Sequence, residues 1–430
     1  MDKILVVQVA ALGDRFLREQ HPSGRMAGLD FSAIRSVLPA VTCTVQATMR
    51  TARLPGEHGM VANGFFSRDL GRPFFWEQCS SLIQGPRIWE TFRAAGHTVG
   101  QLFWQQSLGN DSDVILSPAP IHKHHGGMIQ DVYSRPDGLY ERICRSIGRS
   151  FKLSHYWGPR ASRKATDWIA EATIEVMREP GPDLLLTYLP HLDYDLQRSG
   201  PDSTAAADAL NQLAEHLARL RTAAEDSGYE MIVFGDYAMV PVSRVVYPNL
   251  ILRRAGLFRT RAVKDMLYAD LAGSSAFGMV DHQICHVAVN AEDNVNRARD
   301  LFLSSDGVAE ALDPTTKDSR GIGHPRSGDL VLVAEDDCWF AYPWWEQHEK
   351  APDYATHVDI HNKPGYDPCE LFWGFWPFSV STNPARISGS HGIVTETTDA
   401  VWATTMDVDR DPEDLLGLAR RLRTELLSRS

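Results

Sequence analysis

Between residues 37 and 66 the chain reads VLPAVTCTVQATMRTARLPGEHGMVANGFF. A strand-like run gives way to small hydroxyl residues at Thr42 and Thr44, and a His-Gly turn then leads to Asn63. A threonine that opens a helix has two uses. It can cap the helix, or it can act as a nucleophile toward an anion drawn to the helix N-terminus. The residues alone leave both open, while His58 reads as a structural residue that fixes the turn before Asn63.

Carboxylates and imidazoles that could serve such a nucleophile recur downstream. Asp193 follows the apolar run LLLTYL, Asp236 follows MIVFG, and His391 sits in a G-x-H-G turn. An acid at the carboxyl end of a parallel strand stands where ligand sites form in open α/β sheets, or it caps the next helix. The run AFGMVDHQICHVAV adds Asp281, His282 and His286. Strand alternation would put His282 and His286 on one face and Asp281 with Gln283 on the other. A further cluster, THVDIHNKPGYDP, holds Asp359, His361 and Asp367. Each cluster reads either as hydrogen-bonded histidines or as a set of metal ligands.

The elements that must position these residues follow from periodicity. Short apolar runs at residues 4–9, 184–189, 231–234 and 330–334 predict strands buried on both faces, and helical spacing appears at 165–178, 203–227 and 411–427. Asp202 and Ser203 stand at a helix start, Gly228 closes the far end, and Pro412 suits a first turn. Strands alternating with helices make an α/β protein with a central, mostly parallel sheet flanked by helices on both faces. The length alone would suit two or three domains. The irregular regions 102–159 and 324–378 nevertheless read as lid insertions on a single domain spanning 1–430.

Fifty-five acids against 43 bases give a formal charge of −12, which argues against a nucleic acid polymer or an anionic membrane surface as partner. No apolar run has the length of a membrane span, and the opening MDKILVVQVAALGDRF reads as a buried first strand rather than a signal peptide. Six cysteines without a CxxC pair suit reduced thiols in a cytoplasmic protein. The loop HKHHGG at 122–127 is small and basic. The runs FAYPWW and FWGFWPF, at 340–345 and 372–378, could wall an apolar pocket or form the core of a lid. Oligomeric state is not legible.

The order strand, P-x-x-T, helix, T-x-x-L-P-x-x-H-G-x-x-x-N resembles the nucleophile segment of the type I phosphodiesterase/nucleotide pyrophosphatase branch of the alkaline phosphatase superfamily. The resemblance implies an alkaline phosphatase-like fold. It makes Thr42 the nucleophile and gives Asn63 a phosphoryl oxygen to bind. It assigns Asp193, Asp236 and His391 to metal, with Ala10, Gln197 and Tyr237 standing where the family has one Asp and two His. Asp281 and His282, or alternatively Asp359 and His361, are the candidates to make up the missing ligands. The implied cofactor is one or two divalent ions, zinc first, with manganese or magnesium as alternatives. The implied activity is metal-dependent hydrolysis of a phosphodiester, pyrophosphate or phosphomonoester in a small phosphate-containing substrate, through a phosphothreonine. The alternative is a non-hydrolytic relative that acts as a binding protein or has altered chemistry.

Overall fold

The first strand, Lys3–Val9, is apolar on both faces because it is hydrogen-bonded between two parallel neighbours and covered by helices. The computed structural model describes residues 3–125 and 127–430. Its main sheet has eight strands in the order Val132–Arg135, Val114–Pro118, Val99–Leu102, Leu184–Leu189, Lys3–Val9, Tyr229–Gly235, Ala400–Thr404 and Ser32–Ile34. The five strands from Val114–Pro118 to Tyr229–Gly235 run parallel, and the remaining pairings are antiparallel.

Register sets the place of the site. Val9 pairs with both Leu189 and Gly235, so three adjacent strands end level. The segments that start at Ala10, Pro190 and Asp236 therefore leave the sheet together at its carboxyl edge, the usual ligand-binding edge of such sheets.

Helices cover both faces. Arg163–Arg178 and His191–Ser199 pack against Thr204–Asp226, whose start is capped by Ser203 Oγ accepting the Ala206 N–H at 3.1 Å. Thr42–Thr51 packs against Leu415–Ser428. That last helix begins four residues later than its periodicity suggested, because Asp414 is its cap, accepting the Gly417 N–H at 2.7 Å. Among the described residues, no helix is long and apolar enough to cross a membrane.

A second, four-stranded antiparallel sheet holds Ala276–Asp281, Ile284–Val289, Leu330–Ala334 and Val308–Leu312. Leu330–Ala334 belongs here and not to the main sheet. Leu330, Leu332 and Ala334 face one apolar cluster while Val331 and Val333 face another, and a strand buried on both faces has the same sequence in either sheet. Residues 276–289 are not one extended run. His282 and Gln283 form a two-residue turn closed by the Asp281–Ile284 pair, which separates His282 from His286. The latter is a satisfied core residue, bonded through Nε2 to the Val61 carbonyl and through Nδ1 to the Gly328 N–H. In the basic loop, Ile121–His122 pairs with Met128–Ile129, and Gly126 lies outside the described residues.

Candidate active site

Thr42 is the first residue of its helix and follows the extended Val41. Its hydroxyl lies 3.5 Å from Asp236 Oδ2. It lines a cavity of about 700 Å³ together with Asn63, Asp193, Tyr237, His282 and His391. The sheet edge supplies Asp193 and Asp236, and the turn of the second sheet supplies His282. The neighbouring Cys43 is no rival nucleophile, since burial pushes its thiol up to about 12. His58 is structural, as expected. It is wholly buried, accepts the Met60 N–H at Nδ1 and meets Thr48 Oγ1 at 3.0 Å through Nε2.

Asn63 ties three segments together. Its Oδ1 accepts the Cys43 N–H at 3.0 Å, satisfying a free donor of the helix N-terminus. Its Nδ2 donates to Asp281 Oδ1 at 3.1 Å, and its own N–H donates to Asp281 Oδ2 at 2.7 Å. Asp281 also accepts His282 Nδ1 at 2.8 Å. That bond places a proton on Nδ1, and His282 Nε2 is buried without a hydrogen-bond partner. His282 has φ +60°, a backbone conformation that favours glycine, and it is held there by packing. Tyr237, His391, His282 and Tyr366 form a continuous stack of rings, with successive centroids 3.5, 3.7 and 3.8 Å apart.

The two acids of the sheet edge are engaged on both oxygens. Asp193 Oδ1 accepts the Tyr237 hydroxyl at 3.1 Å, and Oδ2 accepts the Gln197 amide. Asp236 Oδ1 accepts the Ala11 N–H at 3.1 Å, and Oδ2 accepts Gln8 Nε2 at 2.8 Å. Burial is the main cause of both acids' altered basicity: it pushes Asp193 up to about 6 and Asp236 well above the usual carboxylate range. Burial, and then His282, hold His391 far below its ordinary value. His391 is thus a neutral imidazole whose Nδ1 donates to the Ala40 carbonyl at 2.8 Å and whose Nε2 lies 3.9 Å from Asp193 Oδ1.

The donor set does not fit a pair of divalent ions. Ala10 offers no ligand atom, and Gln197 and Tyr237 present protons where the family has imidazole lone pairs. Asp281 pairs with His282 and with Asn63, and neither Asp281 nor His282 completes a cluster with Asp193, Asp236 and His391. Among the described residues, the only group of three His, Cys, Asp or Glu ligand atoms within 4.8 Å of one another is Glu335, Asp337 and Cys338. Two of those are already bound to Arg244.

The sequence reading missed several contributors. Gln8, Tyr188, Tyr366 and Trp157 gave no motif, although a glutamine inside the buried run KILVVQV was a readable signal. Asp359 and His361 line the cavity mouth. There Asp359 accepts from Asn362, and His361 Nδ1 is bonded to the Phe75 carbonyl. Beneath that wall Lys363 is buried between Asp367 and Glu370, at 2.7 and 2.8 Å.

The family model for type I phosphodiesterase/nucleotide pyrophosphatase matches residues 25–367. Phosphonoacetate hydrolase from Sinorhizobium meliloti 1021, solved with phosphonoformate, is similar at a TM-score of 0.65 and 14% identity, over 99% of this chain and 96% of that one. Murine ectonucleotide pyrophosphatase/phosphodiesterase 5 is similar at 0.60 and 15%, over 99% and 95%, and its human counterpart at 0.62 and 14%, over the same shares. At such identities the likeness speaks for the fold. No curated protein matches the sequence. Members of the matched family ordinarily depend on divalent metal ions. With most of its length matched by that model, the chain belongs to the type I phosphodiesterase/nucleotide pyrophosphatase family and is a phosphohydrolase of that kind.

Proposed function

We propose that Thr42 is the nucleophile of a phosphohydrolase that passes through a phosphothreonine. The observation that carries this is the position of Thr42 Oγ1, at a helix N-terminus, facing the cavity and 3.5 Å from Asp236 Oδ2. Thr42 Oγ1 attacks phosphorus in line and passes its proton to the Asp236 carboxylate, whose Oδ2 it faces at 3.5 Å. The bond from phosphorus to the leaving oxygen breaks as the Thr42–phosphorus bond forms, and water then cleaves the phosphothreonine. The partial positive charge of the helix N-terminus favours the incoming anion. Asn63, with one amide hydrogen beyond its bond to Asp281, binds a non-bridging oxygen. The substrate is a small phosphate- or phosphonate-bearing molecule, in keeping with the phosphonoformate and AMP held by structural relatives.

The test is hydrolysis of bis-p-nitrophenyl phosphate and p-nitrophenyl phosphate by the wild type, Thr42→Ala and Thr42→Ser. Thr42→Ala should lower turnover by at least about 1000-fold. Thr42→Ser should retain part of it, and an acid-quenched sample of the wild type should carry one phosphoryl group on Thr42. Undiminished turnover in Thr42→Ala would remove the assignment.

A further inference from the structure

The positions where the family's metal ligands are missing have not simply lost a function. Each retained carboxylate has acquired hydrogen-bond donors instead. On Asp193, Oδ1 takes the Tyr237 O–H and Oδ2 takes the Gln197 N–H. The polarity of Gln197 is fixed from behind, because its Oε1 accepts the Tyr366 hydroxyl at 3.1 Å. A flipped Gln197 would set its oxygen against a carboxylate oxygen. On Asp236, Oδ1 takes the Ala11 N–H and Oδ2 takes the Gln8 N–H. Both acids are buried, at 6% and 0% exposure, so these donors supply the compensation that a buried carboxylate requires.

A cation entering this site would meet protons on every one of those oxygens. Beside Asp236 it would find only the methyl of Ala10 in place of a second carboxylate. Beside Asp193 it would find His391 Nε2, with the Tyr237 hydroxyl 3.1 Å from the Asp193 oxygen that Nε2 faces. The Tyr237 ring lies flat on His391 with an interplanar angle of 3°, so the hydroxyl cannot swing away without breaking the stack. Resting on the phosphohydrolase reading above, we propose that this site works without a divalent cation, with Gln8, Gln197 and Tyr237 as positioning residues that hold Asp193 and Asp236 as fixed hydrogen-bond acceptors. Tight two-ion binding would demand several anionic or imidazole ligands per ion. Here each position retains two at most.

The experiment is elemental analysis of the tag-free chain for zinc, manganese, magnesium and iron after exhaustive dialysis, with zinc titration calorimetry on the wild type, Asp193→Asn and the double variant Gln197→His/Tyr237→His. Wild-type protein should carry far less than one equivalent of metal and show no saturable zinc site that Asp193→Asn abolishes, and chelator should leave its activity unchanged. The double variant restores two imidazoles and removes two blocking donors, so it should gain a zinc site. A stoichiometric metal in wild-type protein that Asp193→Asn removes would overturn the inference, whatever the double variant does. A metal that Asp193→Asn leaves in place is tested with Asp236→Asn: its loss there overturns the inference, and its retention in both variants puts the ion elsewhere and upholds it. Failure of the two readings is distinguishable. A metal-free chain without Thr42-dependent turnover removes the nucleophile assignment alone, and a metal-loaded chain with such turnover removes this inference alone.

Discussion

At the scale of the residue, Asp193 shows the cost of the arrangement. Burial raises its carboxyl to about 6 against the opposing influence of His282, Gln197 and Tyr237. In the unfolded chain it returns to the ordinary value of ~3.9. A carboxyl raised by folding binds its proton more tightly in the native state. Its contribution to stability is therefore full below the unfolded value and is lost as pH rises through the folded one. Above a pH of about 6 the ionised group is a burden. Asp193→Asn should accordingly stabilise the protein at a pH of about 7.5 by roughly 1–3 kcal/mol and give no gain near pH ~4, since each tenfold difference in proton affinity between the folded and unfolded chain is worth about 1.4 kcal/mol. Urea unfolding at the two pH values measures this. An equal gain at both would show that ionisation is not the cause.

At the scale of the element, two short segments hold the cavity. The turn at His282–Gln283 brings the second sheet to the main one, where the Gln283 N–H bonds the His391 carbonyl at 2.9 Å and Asp281 secures Asn63. The segment 359–371 is pinned by Lys363, which is 1% exposed and shared between Asp367 and Glu370. Glu370 in turn accepts the Trp157 indole N–H at 2.6 Å and the Asp359 N–H at 2.9 Å. Removing the one cation would leave two buried acids facing each other. Lys363→Met should therefore cost about 3–5 kcal/mol, the usual penalty for breaking a buried ion pair on one side. Lys363→Met combined with Asp367→Asn and Glu370→Gln should recover much of that loss. Thermal unfolding of both variants checks it, and a single variant as stable as the wild type would refute the role.

At the scale of the whole molecule, charge selects what enters the cavity. The chain carries −12 overall, and the cavity lining has Glu77, Asp193 and Asp359 against one arginine, Arg160, which lies over the Trp373 ring. A singly charged phosphodiester meets less repulsion there than a dianionic monoester. Arg160→Ala should raise KM for an anionic diester severalfold while leaving kcat nearly unchanged, and the effect should fade as salt screens the exposed guanidinium. KM measured at low and high ionic strength decides this, and a loss confined to kcat would count against it.

The sequence by itself determined the parts whose signals are local. The short apolar runs, separated by segments of helical spacing, read as doubly covered strands, so the α/β class followed. The hydroxyl-rich helix that opens at Thr42, the His-Gly turn and Asn63 were legible because their spacing is fixed within one stretch of chain. The strand-like run before Thr42 is instead irregular, the strand there being Ser32–Ile34. Tertiary structure alone decided what surrounds them. Leu330–Ala334 looked like a strand of the main sheet, because a run buried on both faces does not reveal which sheet buries it. Residues 276–289 looked like one strand, because nothing in His282 announces a left-handed φ that only packing enforces. Gln197 and Tyr237 looked like gaps in a metal shell. Whether a glutamine offers its oxygen or its protons depends on the partner behind it, and Tyr366 is 169 residues away in sequence. Distant chemistry of that kind is written in the fold, where the level ends of three strands bring Ala10, Asp193 and Asp236 to one edge.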